Sequence, residues 1–270
     1  MIEIDPLREA GITAQLTRLH TDDLGPSTAR NGAAEVATSK PYLDDVVARK
    51  RAAACAAVAE IEDGMLVGLG TGITANFAIA ALRKRVAAGL KVTTIATSFA
   101  AGRAAEAAGL SALSFDTLAK LDLAIDGADE LDPQLRAIKG KGGAMLREKV
   151  VAAAATRMIV IVDAGKQVTR LGRGALPVEV LPFAAGFVSH RIERLGATVR
   201  QRMAGDACYR TDQDNIVLDC RFGSIDDPQS LASALSAIPG MLGHGLFLDE
   251  IDAAYVGGSD GVIQLTRGAS

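Results

Sequence analysis

Short apolar runs alternate with helix-patterned stretches from residue 42 to residue 163, and no other feature constrains the fold as strongly. Helix spacing runs over Tyr42–Ile61, Ala75–Ala87, Ala100–Ala108 and Ala144–Ala155. Between them lie the strand-like runs Met65–Leu69, Val92–Ala96, Leu121–Asp126 and Met158–Asp163. Strands that are apolar on both faces, separated by helices, belong to a parallel sheet covered on both sides. The predicted fold is therefore α/β, an open and mostly parallel sheet with helices on both faces.

The texture changes after Leu176-Pro177-Val178-Glu179-Val180. A helix over Ala184–Leu195, strands at Ala197–Met203 and Asn215–Arg221, a helix over Pro228–Ile238 and a strand at Gly245–Asp249 follow. That β-α-β-β-α-β order predicts a small α+β, ferredoxin-like module inserted over residues 176–250. Ala253–Val256 and Gly261–Thr266 would return the chain to the first sheet, so the α/β domain is expected to comprise residues 41–175 and 251–270. Residues 1–40 are polar and turn-rich, the composition of a flexible N-terminal extension outside that domain.

The net charge of −3 offers no general attraction to nucleic acid or to an anionic membrane, and aromatic stacking platforms are scarce without tryptophan. No apolar run has the length of a membrane span, and no basic stretch followed by an apolar run marks a secretory leader. Cys55, Cys208 and Cys220 are far apart and form no Cys-x-x-Cys pair. They read as reduced, buried thiols, Cys55 in the core under the first helix, and the expected location is the cytoplasm. His20, His190 and His244 are too dispersed for a local metal pair and read as structural.

Ligands of open parallel sheets bind beyond the carboxyl ends of the strands. Four segments fall there: Gly68–Thr74, Ala96-Thr97-Ser98, Asp126–Glu130 and Asp163–Lys166. The first carries glycine at 68, 70 and 72 and runs into a helix, which suggests a backbone cradle for an anion and not core packing. It lacks the Gly-Lys-Ser/Thr ending of a P-loop and is one residue too tight for the dinucleotide fingerprint. Asp126 and Asp129 stand in an acidic turn, and the loop Lys139-Gly140-Lys141-Gly142-Gly143 follows with Glu148 just behind it. Acids, a base and a cation converging without a redox motif suggest proton transfer on an anionic substrate.

Gly70-Thr71-Gly72, Asp126-Gly127-Ala128-Asp129-Glu130, Lys139-Gly140, Arg147-Glu148-Lys149, Asp163-Ala164-Gly165-Lys166 and Leu176-Pro177-Val178-Glu179-Val180 resemble, in order and spacing, the A-type ribose-5-phosphate isomerases. The resemblance runs from about Tyr42 to the C-terminus. It implies an aldose–ketose isomerase that interconverts D-ribose 5-phosphate and D-ribulose 5-phosphate through an enediolate, with neither metal nor cofactor. By position, Glu148 would be the base, Asp126 would assist ring opening with Asp129 beside it, and Lys139 would stabilise the enediolate. Thr71, Gly72, Ile73, Thr74 and Lys166 would hold the phosphate, with Lys50 at the same pole. Gly127, Ala128, Gly140, Lys141 and Gly142 would line the sugar site. The family assembles as dimers or tetramers, so a homo-oligomer is expected.

Two positions depart from the family pattern: Ile73 stands where Ser is usual, and Lys141 where Gly is usual. The expectation is that Ile73 costs the phosphate a hydroxyl and that Lys141 returns part of the attraction. The competing readings are a sugar-phosphate sensor that has lost catalysis and a related acyl-CoA transferase or deaminase-type isomerase. A sensor would have no need of Glu148, and no helix-turn-helix pattern supplies an effector module.

Overall fold

The computed structural model describes residues 40–268. The expected extension over residues 1–40 lies outside the described residues except for Lys40, and His20 lies outside them too. Of the three cysteines expected to be buried only Cys220 is, while Cys55 is exposed on the first helix and Cys208 half-buried. Helix α1 (Lys40–Ala59) leads into β1 (Leu66–Leu69), α2 (Ile73–Ala87), β2 (Thr93–Ala96), α3 (Phe99–Ala107) and a short β3 (Ala112–Leu113). Strand β4 (Leu121–Gly127) is followed by the hairpin β5 (Glu130–Leu131) and β6 (Ala137–Ile138), then α4 (Met145–Ala154) and β7 (Ala155–Asp163). The chain continues through β8 (Leu176–Val180), α5 (Ala185–Glu193), β9 (Thr198–Gln201), the hairpin β10 (Met203–Ala204) and β11 (Ala207–Cys208), and β12 (Ile216–Arg221). It closes with α6 (Pro228–Ser236), β13 (Met241–His244), β14 (Leu246–Phe247), β15 (Ala253–Gly258) and β16 (Gly261–Thr266).

The main sheet has the order β16-β15-β7-β4-β1-β2-β3 and is parallel except for the edge strand β16. Strand β7 shows why both faces need cover. Ile159 and Ile161 pack with Ala53, Val58, Phe77 and Leu82 of α1 and α2, while Met158, Val160 and Val162 pack with Val151 and Ala152 of α4. Successive strand residues point to opposite faces, so a run without polar members buries both. From β1 the chain winds outward through β2 and β3, then returns to the other side of β1 with β4. The gap beyond the ends of β1 and β4 is thus the switch point of the sheet, where ligands bind in folds of this kind.

A second sheet has the order β13-β8-β12-β9, all antiparallel, with its own apolar cluster that includes Val178, Val180, Val188, Ile192, Leu218 and Leu235. This is the β-α-β-β-α-β arrangement expected from the sequence. Its last strand differs from the expectation: Met241–His244 pairs with β8, while Leu246–Phe247 leaves the sheet and pairs with β6. Gly245 marks the exit. A Cβ there would lie 2.1 Å from the carbonyl oxygen of Lys139, and the Gly245 carbonyl accepts from Lys139 N–H at 2.9 Å.

Candidate active site

Asp126 is the penultimate residue of β4, and its carboxylate turns over the end of β1. A Cβ on Gly70 would stand 1.9 Å from Asp126 Oδ1, so only glycine leaves that carboxylate its place. Asp126 Oδ1 accepts from Thr71 N–H at 3.2 Å and from Gly127 N–H at 2.7 Å. The β5–β6 hairpin then doubles the chain back, with Asp129 N–H donating to the Ile138 carbonyl at 2.8 Å, and so returns Lys139 to Asp126. The Lys139 ammonium lies 2.8 Å from Asp126 Oδ2 and 3.1 Å from Glu148 Oε2. It also donates to the Gly127 carbonyl and sits 5.3 Å from the centre of the Phe247 ring.

Glu148 lies in the first turn of α4, and α4 can come close because β1 carries Gly68. A Cβ on Gly68 would meet Val151 Cγ1 of α4 at 2.6 Å. Gly68 is therefore a packing residue, which corrects the expectation that all three glycines of the loop serve a ligand. Gly72, with φ +101° and open space where a Cβ would stand, caps the start of α2 and leaves room for a ligand.

Asp126, Lys139 and Glu148 are 3%, 2% and 4% exposed, so their charges act on one another with little water between them. Burial raises the pKa of Asp126 against the pull of Lys139. Burial and then the charge of Asp126 push Glu148 up to about 8. Burial works against the Lys139 ammonium, but Asp126 and Glu148 outweigh it and hold its pKa above the ordinary lysine value. One buried cation between two carboxylates leaves a site that readily takes a proton, as a base moving a carbon-bound proton requires.

Around this triad the family model for ribose 5-phosphate isomerase A (phosphoriboisomerase A) matches residues 93–261. The chain belongs to the ribose 5-phosphate isomerase A family. Ribose-5-phosphate isomerase A of Sphingopyxis alaskensis is 48% identical over 226 residues, covering 84% of this chain and 99% of that protein. The Bradyrhizobium diazoefficiens protein of the same name is 46% identical over 229 residues, covering 81% and 95%. Among solved structures, a D-ribose-5-phosphate isomerase in complex with phospho-erythronic acid superposes with a TM-score of 0.80 at 35% identity, covering 82% of this chain and 99% of that one. The ribose 5-phosphate isomerase A of Methanocaldococcus jannaschii gives 0.78 at 35% identity, covering 81% and 98%.

The remaining residues expected at the site fall into two groups. Asp129, half-buried, accepts from Lys141 N–H at 3.0 Å, so the Gly140–Gly143 turn is tied to the acidic turn. A Cβ on Gly142 would touch Thr71 Cγ2, and one on Gly127 would touch Thr74 Cβ, both at 3.4 Å, so the two glycine-rich loops adjoin. Thr71 Oγ1 donates to Ser98 Oγ at 2.8 Å and lies 2.9 Å from Thr97 Oγ1, which brings in the end of β2. The second group gathers at β7. The Lys50 ammonium of α1 lies 3.5 Å from Asp163 Oδ2. Burial lowers the Lys50 pKa, and the nearby charges of Lys166 and Lys141 lower it further against Asp163. Lys50, Lys166 and Lys141 thus stand near enough for their charges to act on one another, with Asp163 paired to Lys50.

Ile73 departs from its expected place. Its side chain is buried in the cluster with Leu69, Phe77 and Ile125 beneath the loop. Core packing at 73 takes the place that a serine hydroxyl would have, which removes the ground for expecting Lys141 to compensate for it. Sequence reasoning also missed two residues that grip the Gly140–Gly143 turn, Arg202 and Tyr209. Both come from the segment between β9 and β12, and no local motif connects them to a loop sixty residues earlier.

Proposed function

We propose that this chain interconverts D-ribose 5-phosphate and D-ribulose 5-phosphate, and that Glu148 carries the proton between C2 and C1. The observation that carries this reading is the buried Asp126–Lys139–Glu148 arrangement in a chain of this family. Glu148 as carboxylate takes the proton from C2 of the open-chain aldose, and the electron pair moves into a C1–C2 enediol bond with charge on the C1 oxygen. The Lys139 ammonium stabilises that charge, as a preorganised donor does for a developing oxyanion. Glu148 returns the proton to C1 while the C2 hydroxyl proton passes by way of Asp126 to the C1 oxygen, giving the ketose. Asp126 and Asp129 serve the oxygen-bound protons and ring opening.

Thr71, Gly72, Thr74 and the backbone of Ile73 bind the 5-phosphate at the start of α2, with Lys166 and Lys50 supplying charge. Gly127, Ala128 and the Gly140–Gly142 turn bound the sugar. The cation of the reaction is an ammonium, so the proposed chemistry is metal-independent. Residues 176–250 form the inserted module of this reading, with residues 41–175 and 251–270 as the catalytic domain. Leu181, Phe183 and Phe187 expose an apolar patch on the module, Phe183 completely, and a second copy of the chain covers it in the proposed homo-oligomer. The proposed location is the cytoplasm; no helix among the described residues is long and apolar enough to cross a membrane.

Purified protein supplied with ribose 5-phosphate, with direct detection of ribulose 5-phosphate in the presence and absence of a chelator, tests the assignment. Product at equal rates in both supports it. No product, or activity lost to the chelator and restored by one divalent metal, contradicts it.

A further inference from the structure

We infer that Arg202 is a positioning residue for the isomerisation: it sets the orientation of the Gly140–Gly143 turn and thereby the donors that this turn presents to the substrate. The inference deepens the isomerase reading and rests on it. The turn is closed by Gly143 N–H donating to the Gly140 carbonyl at 2.9 Å. Arg202 Nη1 donates to two of its carbonyls, Gly140 at 3.0 Å and Lys141 at 2.9 Å. The same guanidinium is held from behind by both carboxylate oxygens of Asp219 on β12, Nε at 2.9 Å from Oδ2 and Nη2 against Oδ1. Tyr209 adds a third grip, its hydroxyl donating to the Gly142 carbonyl at 3.1 Å.

A trans peptide points its carbonyl and its N–H in opposite directions, and no cis peptide occurs among the described residues. Two consecutive carbonyls on Arg202 therefore fix two N–H groups on the far side. One is Lys141 N–H, which donates to Asp129 Oδ2 at 3.0 Å. The other is Gly142 N–H, which the same peptide geometry directs away from Arg202. Glycines at 140 and 143 adopt φ +109° and +77°, so the turn has little stiffness of its own and takes its orientation from what holds it. A fork bound to a carboxylate on one side and two carbonyls on the other provides that hold, and a lysine ammonium cannot span the same four acceptors.

Steady-state kinetics with ribose 5-phosphate, on Arg202→Lys, Asp219→Asn and Tyr209→Phe beside the parent, test this. The probes for ground-state binding are inorganic phosphate and phospho-erythronate as competitive inhibitors. Donors that matter as charge develops lower kcat and leave KM nearly unchanged when they are lost. Misplacement of a site by about 1 Å costs up to roughly a hundredfold. Arg202→Lys is expected to lower kcat about tenfold or more, with KM within about threefold and inhibition by inorganic phosphate within about twofold. Asp219→Asn is expected to move kcat in the same direction by less, and Tyr209→Phe by a few-fold. Phospho-erythronate, which carries a four-carbon hydroxy acid beyond its phosphate, should weaken in Arg202→Lys more than inorganic phosphate does. A kcat within about twofold of the parent in all three variants overturns the inference. So does an equal loss of phosphate and phospho-erythronate binding, the mark of a general structural role. Should Arg202→Lys fail to fold, Asp219→Asn and Tyr209→Phe decide by the same criteria. Absence of turnover in the parent would instead defeat the isomerase reading itself.

Discussion

The Lys139 ammonium stands 3.1 Å from Glu148 Oε2 with both side chains 4% exposed or less. Glu148 belongs to helix α4 and Lys139 to the loop after β6, so the contact exists only because hairpin and helix are packed to bring it about. Removing the cation leaves Glu148 and Asp126 facing each other without a counter-charge. Breaking a buried pair by deleting one partner costs roughly 3–5 kcal/mol. Lys139→Met should lower stability by an amount of that order and reduce kcat by about a thousandfold or more. Thermal unfolding and turnover measured on one preparation check both.

The raised pKa of Glu148 has opposite consequences for activity and stability. The base must be ionised, so kcat/KM should rise with pH towards a value near 8 and not near 4.5. Folded protein holds a proton on Glu148 that the unfolded chain releases above its ordinary value of 4.5. The associated stability is fully present below pH 4.5 and is lost as pH rises through about 8. Glu148→Gln does not titrate. Its melting temperature relative to the parent should therefore increase between pH 5 and pH 8.5, and a constant difference would contradict the assigned shift.

Ile73→Ser restores the residue usual in the family and should not improve phosphate binding. The side chain lies in the core, where losing an Ile costs about 2–5 kcal/mol and a buried hydroxyl adds a further penalty. The expected result is a lower melting temperature with KM within about twofold of the parent. A lower KM at unchanged stability would show that position 73 reaches the phosphate after all.

Gly70→Ala should be far more damaging to turnover than Gly72→Ala. At 70 the new methyl would occupy the place of the Asp126 carboxylate. At 72 the cost is the strain of φ +101° and ψ −177°, a glycine-only conformation, about 1–3 kcal/mol, and a methyl beside the proposed phosphate should act on KM more than on kcat. Equal loss of kcat in the two variants would separate Asp126 from the reaction.

Much of the fold was legible because its signals are local. The runs ending at Leu69, Ala96, Asp126 and Asp163 each gave a strand, and strand ends on one edge of a parallel sheet gather into one site. Gly68 was misread because a glycine that admits Val151 and one that admits a ligand look alike in sequence. Ile73 was misread for a related reason: the first turn of a helix turns one residue to the ligand and the next to the core, and composition does not say which. The short pairs β5–β6 and β6–β14 were invisible, being two residues long and stabilised by tertiary context. Arg202 and Tyr209 reach the site from another sheet, a relation that only the assembled chain contains.

The proposed isomerisation requires Glu148 to move the carbon-bound proton. Ribose 5-phosphate incubated in deuterium oxide with the parent protein and with Glu148→Gln tests it, following both ketose formation and deuterium at the reacting carbons by NMR. Loss of a general base costs about 10²–10⁴-fold. The parent should form ribulose 5-phosphate, and Glu148→Gln should bind phospho-erythronate within a few-fold of the parent while both isomerisation and carbon-bound exchange fall by that factor or more. Exchange in Glu148→Gln at a rate within about threefold of the parent would assign the proton to another residue.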